Sequence, residues 1–315
     1  MKSKIFLLAI IVSASIFRLA PSALAQGSLT PPGAPAATMK SLDQVYAKLD
    51  SRTAITNAAS SYFISVPGSY YLTTNLTVSS SYGIAIGASG VTLDLNGFTI
   101  SSTLASAAHG GISLNGPLSD ITIVNGHIRS GVTNNGSGVY GGSGFAVGIA
   151  DSPGVPPTNV IVSMISVSGV TSYGIHLGTG NATVVEACTV TTAGDLGIYA
   201  STIKDSVATD SFNAIIGDQV AGCRGIGSGN GIVANAAAQN CYGQSSGSFT
   251  AGLNVSGTAL NCFGTNSSSG TGIFATIAQN CIGSSVSGIG LQATIANSCL
   301  VGHGTTNVTY KYNMP

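Results

Sequence analysis

A two-residue signal returns along this chain in fixed phase, and it restricts the fold more than any other feature. In the C-terminal half it reads Asn240-Cys241, Asn261-Cys262, Asn280-Cys281 and Ser298-Cys299. Earlier it is Gly222-Cys223, Asp205-Ser206, Ala187-Cys188, Met164-Ile165, Asn125-Gly126 and Asn96-Gly97. Its second members stand at positions 97, 126, 165, 188, 206, 223, 241, 262, 281 and 299, so the spacing is wide at first and nearly constant from 188 onward. A second signal, Gly-Ile-x-Ala or a close variant, keeps step with it: Gly197-Ile198-Tyr199-Ala200, Gly231-Ile232-Val233-Ala234, Gly272-Ile273-Phe274-Ala275 and Gly290-Leu291-Gln292-Ala293. Two markers locked in phase over ten repeats specify a solenoid, in which each repeat buries its apolar side only by stacking on the next.

The residues between the markers set the element type. Val91, Leu93 and Leu95 alternate with Thr92, Asp94 and Asn96, a period of two that belongs to strands. Val, Ile, Thr and Ala alternating with Gly, Asn and Ser supply short strands and tight turns. Asn96-Gly97 then turns the chain, since both residues tolerate positive φ, and Gln279-Asn280 turns it before Cys281 resumes the inner wall. A single-stranded parallel β-helix of about ten rungs follows, an all-β fold over 52–315. Residues 273, 275 and 277 are expected to point inward in the later rungs. Rungs as short as the late ones also occur in left-handed hexapeptide solenoids, but those need an aliphatic residue at every sixth position. Ile273 and Cys281 do not keep that period, and the rung from 126 to 165 is more than twice as long as the rung from 206 to 223. The right-handed form is therefore expected.

The first residues have another purpose. Lys2 and Lys4 precede an apolar run over 5–17, and Ala23-Leu24-Ala25 is a small-x-small cleavage site, so 1–25 reads as a secretory signal peptide. A Pro-rich leader follows over 26–37. Leu42, Val45, Tyr46 and Leu49 share one face of a short helix over 38–51, placed to cap the open end of the solenoid. No later stretch is apolar enough to span a bilayer. The expected location is therefore the periplasm, the cell surface or the medium.

Beyond residue 25 seven Lys and Arg stand against ten acids, a net charge of −3. There is no basic stripe, and nucleic acid is not an expected partner. The cysteines Cys188, Cys223, Cys241, Cys262, Cys281 and Cys299 recur once per turn. Parallel Cα–Cβ vectors on adjacent rungs roughly 4.8 Å apart are poor disulfide geometry, so the spacing favours a ladder of buried thiols acting as small hydrophobes. Asn240, Asn261 and Asn280 form a matching ladder of turn amides.

The 91–97 and 121–126 strands, with the Gly-Ile-x-Ala and Asn-Cys ladder, resemble exported bacterial right-handed parallel β-helix proteins of the pectin-lyase-like superfamily. The stretches 38–44 and 310–315 are similar to a paralogue-rich branch of it. The resemblance implies the fold, while this scaffold carries lyases, hydrolases, adhesins and structural proteins alike. A lyase of this kind needs outward acids stacked to hold Ca²⁺ and a Lys or Arg base. A hydrolase needs clustered Asp residues. The chain past residue 25 has a single Glu, Glu186, and its Asp residues are scattered. No cofactor is expected, Ca²⁺ entering only under the lyase alternative, and the four His residues lack metal-ligand spacing.

Candidate contacts for a polysaccharide gather near the long inserts 131–147 and 151–158. Register places His127 over Ser166 and Thr189, and Arg129 over Ser168 and Thr191. Tyr140 and Tyr173 are candidate ring platforms, His176 sits on the next strand, and Glu186 lies one rung from Lys204. Thr258, Thr276 and Thr294 form a further outward column, which β-propensity explains. The expected function is a non-catalytic envelope or extracellular protein with a structural or glycan-binding surface. The alternative is a carbohydrate-active lyase or hydrolase.

Overall fold

The computed structural model describes residues 41, 51–56, 60–152, 154 and 156–314. The chain divides into two units, Met1–Ser51 and Arg52–Pro315. The expected signal peptide, leader and capping helix lie outside the described residues, Ser41 and Ser51 apart. The second unit is a right-handed parallel β-solenoid of about twelve turns, and no helix occurs among the described residues. It therefore has more turns than the ten expected. The early turns through Thr53–Ile55 and Gly68–Leu72 lack the dipeptide marker, and Asn313-Met314 repeats it once more past Cys299.

Each turn contributes to three stacked faces. The first runs from Thr53–Ile55 through 70–72, 91–94, 121–124 and onward to 310–312. The second runs from Leu76–Val78 through 99–101 and 127–129 to Leu300–Val301. The third begins at Tyr62–Ile64 and Ile84–Ile86 and ends at 305–308. The marker dipeptide is the corner between the first and second faces. Its leading residue is left-handed in every repeat: Asn96, Asn125, Met164, Ala187, Asp205, Gly222, Asn240, Asn261, Asn280, Ser298 and Asn313 all have φ between 46° and 65°. Asn and Gly adopt this conformation cheaply; Met164 and Ala187 are held there by the register of their neighbours.

The corner's second residue turns inward, and the six cysteines occupy that slot as buried free thiols. Cys188 donates its backbone N–H to Ser206 Oγ at 3.1 Å, so Ser206 fills one rung of the same column. Sulfur accepts backbone N–H groups further along, from Cys262 to Cys281 Sγ and from Cys281 to Cys299 Sγ, both at 3.5 Å. Burial pushes the Cys188 thiol up to about 11 and that of Cys223 up to about 12, so both stay protonated and unreactive at neutral pH. On the outside, Asn261 Nδ2 donates to Asn240 Oδ1 and Asn280 Nδ2 to Asn261 Oδ1, each at 3.3 Å.

The glycine of the Gly-Ile-x-Ala signal has a steric cause. The inner residue of the second face runs, in register, Ile100, Ile128, Val167, Val190, Ala208, Gly225, Gly243, Gly264 and Gly283. Opposite it on the third face stand Gly83, Gly111, Gly148, Gly174 and Gly197, where an added Cβ would strike Ile100, Ile128, Val167, Val190 and Ala208 in turn. Further along both partners are glycine. A Cβ on Gly243 would run into the Gly252 carbonyl, and one on Gly264 into the Gly272 carbonyl. The tube thus tapers, and its C-terminal half brings two backbones into contact. The remaining core there is Ile232, Leu253, Ile273 and Leu291 with Ala and Cys, all fully buried or nearly so.

Two expectations about side-chain direction are corrected. Ile277 points outward and Ala278 inward, because a corner at Thr276, between third-face residues 273–275 and first-face residues 277–279, breaks the alternation. Thr276 and Thr294 fall in line, but Thr258 pairs with Ile277 across a register shift, so the three Thr residues make no column.

Gly272→Val tests the contact between faces, since its Cβ would meet the Ser284 amide and the Gly290 carbonyl. The expected outcome is a loss at or beyond the roughly 1–3 kcal/mol usual for overpacking, read as a fall in the thermal midpoint. Gly141→Ala, with open space around the new methyl, should leave that midpoint unchanged.

Candidate functional site

The fold distributes the six candidate contacts over different faces. His127 and Arg129 stand on the second face, in register with Ser166 and Ser168. Those two pair in turn with Thr189 and Thr191. Buried His127 Nδ1 has no hydrogen-bond partner among the described residues. Glu186 is in register with Lys204 on the first face, yet the two form none of the ion pairs seen among the described residues. Tyr173 and His176 belong to the third face. Tyr140 sits on a hairpin formed by the insert 131–147. Two separate grooves result, one beside each long insert.

The first groove is built by that hairpin, in which Gly131–Asn134 pairs antiparallel with Tyr140–Ser143. Asp210 ties the hairpin to the solenoid. Its Oδ1 accepts Asn134 Nδ2 at 2.7 Å and the Tyr140 hydroxyl at 3.0 Å, while Oδ2 accepts Thr192 Oγ1 at 2.8 Å. Partial burial works against the charged carboxylate, but the three donors from Asn134, Thr192 and Tyr140 prevail and hold Asp210 below the usual aspartate range. Burial and the Asp210 carboxylate together push the Tyr140 hydroxyl up to about 12. Asp210 is itself left-handed, with φ 54° beside Thr192 at 59° on the neighbouring rung, which turns its carboxylate toward the hairpin.

The space between hairpin and solenoid is an open groove of about 800 Å³. Tyr140 and Phe212 provide rings, Asn134 and Gln244 amides, and Ser228 and Ser246 hydroxyls, with Asp195 and Asp210 the only charged residues lining it among those described. Phe212 is half exposed. The two carboxylates are scattered in sequence. They share one groove because the rung between them is short.

The second groove, about 370 Å³, lies on the third face beside the insert 151–158. His176 Nδ1 and Asp151 Oδ1 are 2.8 Å apart. The Tyr173 ring lies 4.7 Å from the imidazole, and Tyr199 meets it edge-on at 5.0 Å. Tyr82 and His109 make a similar edge contact at 5.2 Å on the groove's other side. The sequence points to Tyr173 and His176 but not to Asp151, which stands beside His176 only through the register of Ala150 on His176.

A third feature is made of the residues that directly follow the marker dipeptide. On the second face Arg224, Tyr242, Phe263, Ile282 and Leu300 form one outward column. The Arg224 guanidinium lies 5.5 Å from the Tyr242 ring centre, and Phe263, Ile282 and Leu300 are 40–50% exposed.

Among the described residues no group of three or more His, Cys, Asp or Glu is placed to hold a metal ion. No helix there is long and apolar enough to cross a membrane.

Acidification should release the hairpin. A carboxylate held below its ordinary value stabilises the folded arrangement above the unfolded value, about 3.9, and loses that contribution as pH falls through the folded one. Protection from hydrogen exchange over 131–143, taken relative to the intrinsic rate at each pH, is therefore expected to be high at pH 6 and to fall below about pH 4. Asp210→Asn should show low protection at both pH values.

Against family models, curated proteins and solved structures, the chain gives no match.

Proposed function

We propose that this chain is an exported, non-catalytic β-solenoid whose hairpin groove binds an uncharged polysaccharide. The observation that carries the reading is the threefold hold of Asp210 on the hairpin. It fixes Tyr140 opposite the solenoid wall, so the groove is formed before any ligand arrives and binding has little ordering cost. Tyr140 and Phe212 supply flat apolar faces for sugar rings, and the amides and hydroxyls supply partners for sugar hydroxyls. With two carboxylates and no Lys or Arg among the lining residues described, an anionic uronate polymer is disfavoured, and with it the lyase alternative. Export rests on the sequence of 1–25.

The hydrolase alternative keeps one specific support, the presence of Asp195 and Asp210 in a single groove. Hydrolysis needs one carboxyl able to give up a proton and a second to act as base or nucleophile. Both Asp210 oxygens are already taken up by hydrogen bonds that fasten the hairpin, so Asp210 is committed to structure and Asp195 is left alone for either task. Binding is therefore the better-supported reading.

The test incubates the protein with plant, algal and bacterial polysaccharides and scores both retained protein and new chain ends. Retention on a neutral polymer without new ends is expected, weakened about tenfold by Phe212→Ala, in line with about 1–2 kcal/mol for a lost ring platform. New ends that disappear in Asp195→Asn would replace the binding reading with hydrolysis. Neither retention nor new ends across the panel would remove both readings.

A further inference from the structure

The geometry points to a second site, on the third face, that takes a small organic cation: a quaternary ammonium group or the protonated amine of an amino sugar. It is independent of the hairpin groove, from which the whole Asp151–His176 cluster is separate.

Asp151 is the anchor. Its side chain is 9% exposed, yet it lines the 370 Å³ groove. Oδ1 is engaged by His176 Nδ1, and Oδ2 has no partner among the described residues. One carboxylate oxygen is thus open to the groove, and a cation seated there would meet its negative charge and form a charge-assisted contact. Around it stand aromatic rings. Tyr173 packs on the imidazole of His176, and Tyr82 packs on His109 across the groove. Tyr faces attract cations by roughly 0.5–2 kcal/mol each, most when the cation is desolvated.

Charge favours a cation over the other ligand classes. No Lys or Arg lines this groove among the described residues, so an anion would meet an uncompensated carboxylate. A neutral sugar would bring no charge to answer the Asp151 carboxylate, and it would find the Ser113 and Ser152 hydroxyls already donating to Asn115 Oδ1 and the Leu114 carbonyl. The volume suits a head group of a few heavy atoms and sits at the small end of ligand pockets. His176 holds the Asp151 carboxylate in place through Nδ1, and Tyr173 and Tyr199 fix the imidazole in turn.

Calorimetric titration of the purified protein with tetramethylammonium, glucosamine, and 3,3-dimethylbutanol as a neutral shape control tests this. Saturable binding of at least one cation is expected, with the neutral control at least tenfold weaker. Asp151→Asn, which keeps an acceptor for His176, should weaken the cation at least tenfold while leaving the unfolding midpoint close to that of the parent. If that variant fails to fold, Tyr82→Leu on the opposite wall should weaken the cation severalfold without touching the Asp–His pair. The proposal is overturned by any of three results. One is no saturation with either cation up to about 10 mM, weaker than any affinity the contacts imply. The others are equal affinity for the neutral control and unchanged affinity in the folded variant.

Discussion

The tube depends on one close approach, where the inner residues of the second face rest on a column of glycines in the third. In a stacked solenoid every rung must repeat the width of its neighbour, or the parallel ladder between them breaks. Here the width changes gradually. Ile100 and Ile128 hold the faces apart at the N-terminal side, Val and Ala bring them nearer, and from Gly225 onward glycine meets glycine. Each step removes one or two methyl groups, small enough for the hydrogen-bond register to continue. What remains of the core becomes a line of Ile, Leu, Ala and Cys, and rung length settles to a short, nearly constant value because the perimeter has shrunk.

The same taper determines where a site can form. In the narrow half, rungs pass through regular corners and the surface is a flat ladder of repeated side chains. In the wide half the corners tolerate insertions, and both long inserts occur there. One folds into a hairpin that Asp210 fastens down, and the other flanks the Asp151–His176 pair. The second groove lies wholly on the wide rungs, while the hairpin springs from them and reaches over the first narrow ones, where Ile226, Ser228 and Gln244 line its groove. The fastening in both is a carboxylate, Asp210 from a left-handed corner and Asp151 from the end of the strand Val147–Asp151.

Much of this is legible in the sequence, and the parts that are not have physical reasons. Asn and Gly at the corner announce positive φ, so the phase of Asn240, Asn261 and Asn280 is readable. Met164 and Ala187 share that conformation without any propensity for it, and only their phase gives them away. The narrowing of the tube is visible in the rung lengths, but its cause, glycine against glycine from different strands, needs the two faces superposed. Strict alternation carried through Thr276 puts Ile277 inward, but a corner intervenes there. The grooves are the least legible. Nearness along the chain groups His127, Arg129, Tyr173 and His176, whereas a turn of the solenoid sends neighbouring strands to different faces. Asp151 meets His176 from the adjacent turn, and Asp195 and Asp210 line one groove from neighbouring rungs. Such pairs depend on loop lengths that composition does not reveal.

A thiol count would test the repeated corner most directly, because the corner's second residue must point into the tube for the whole scheme to hold. The purified protein, kept free of reductant, would be treated with a thiol reagent when native and again in denaturant. Essentially no reaction is expected while the protein is folded, and six reactive thiols per chain once it is unfolded. Rapid labelling of the native protein would place the cysteines outside the tube. Fewer than six after unfolding would show disulfides that the parallel ladder does not accommodate. Either result would contradict the stacked column on which the register of every rung depends.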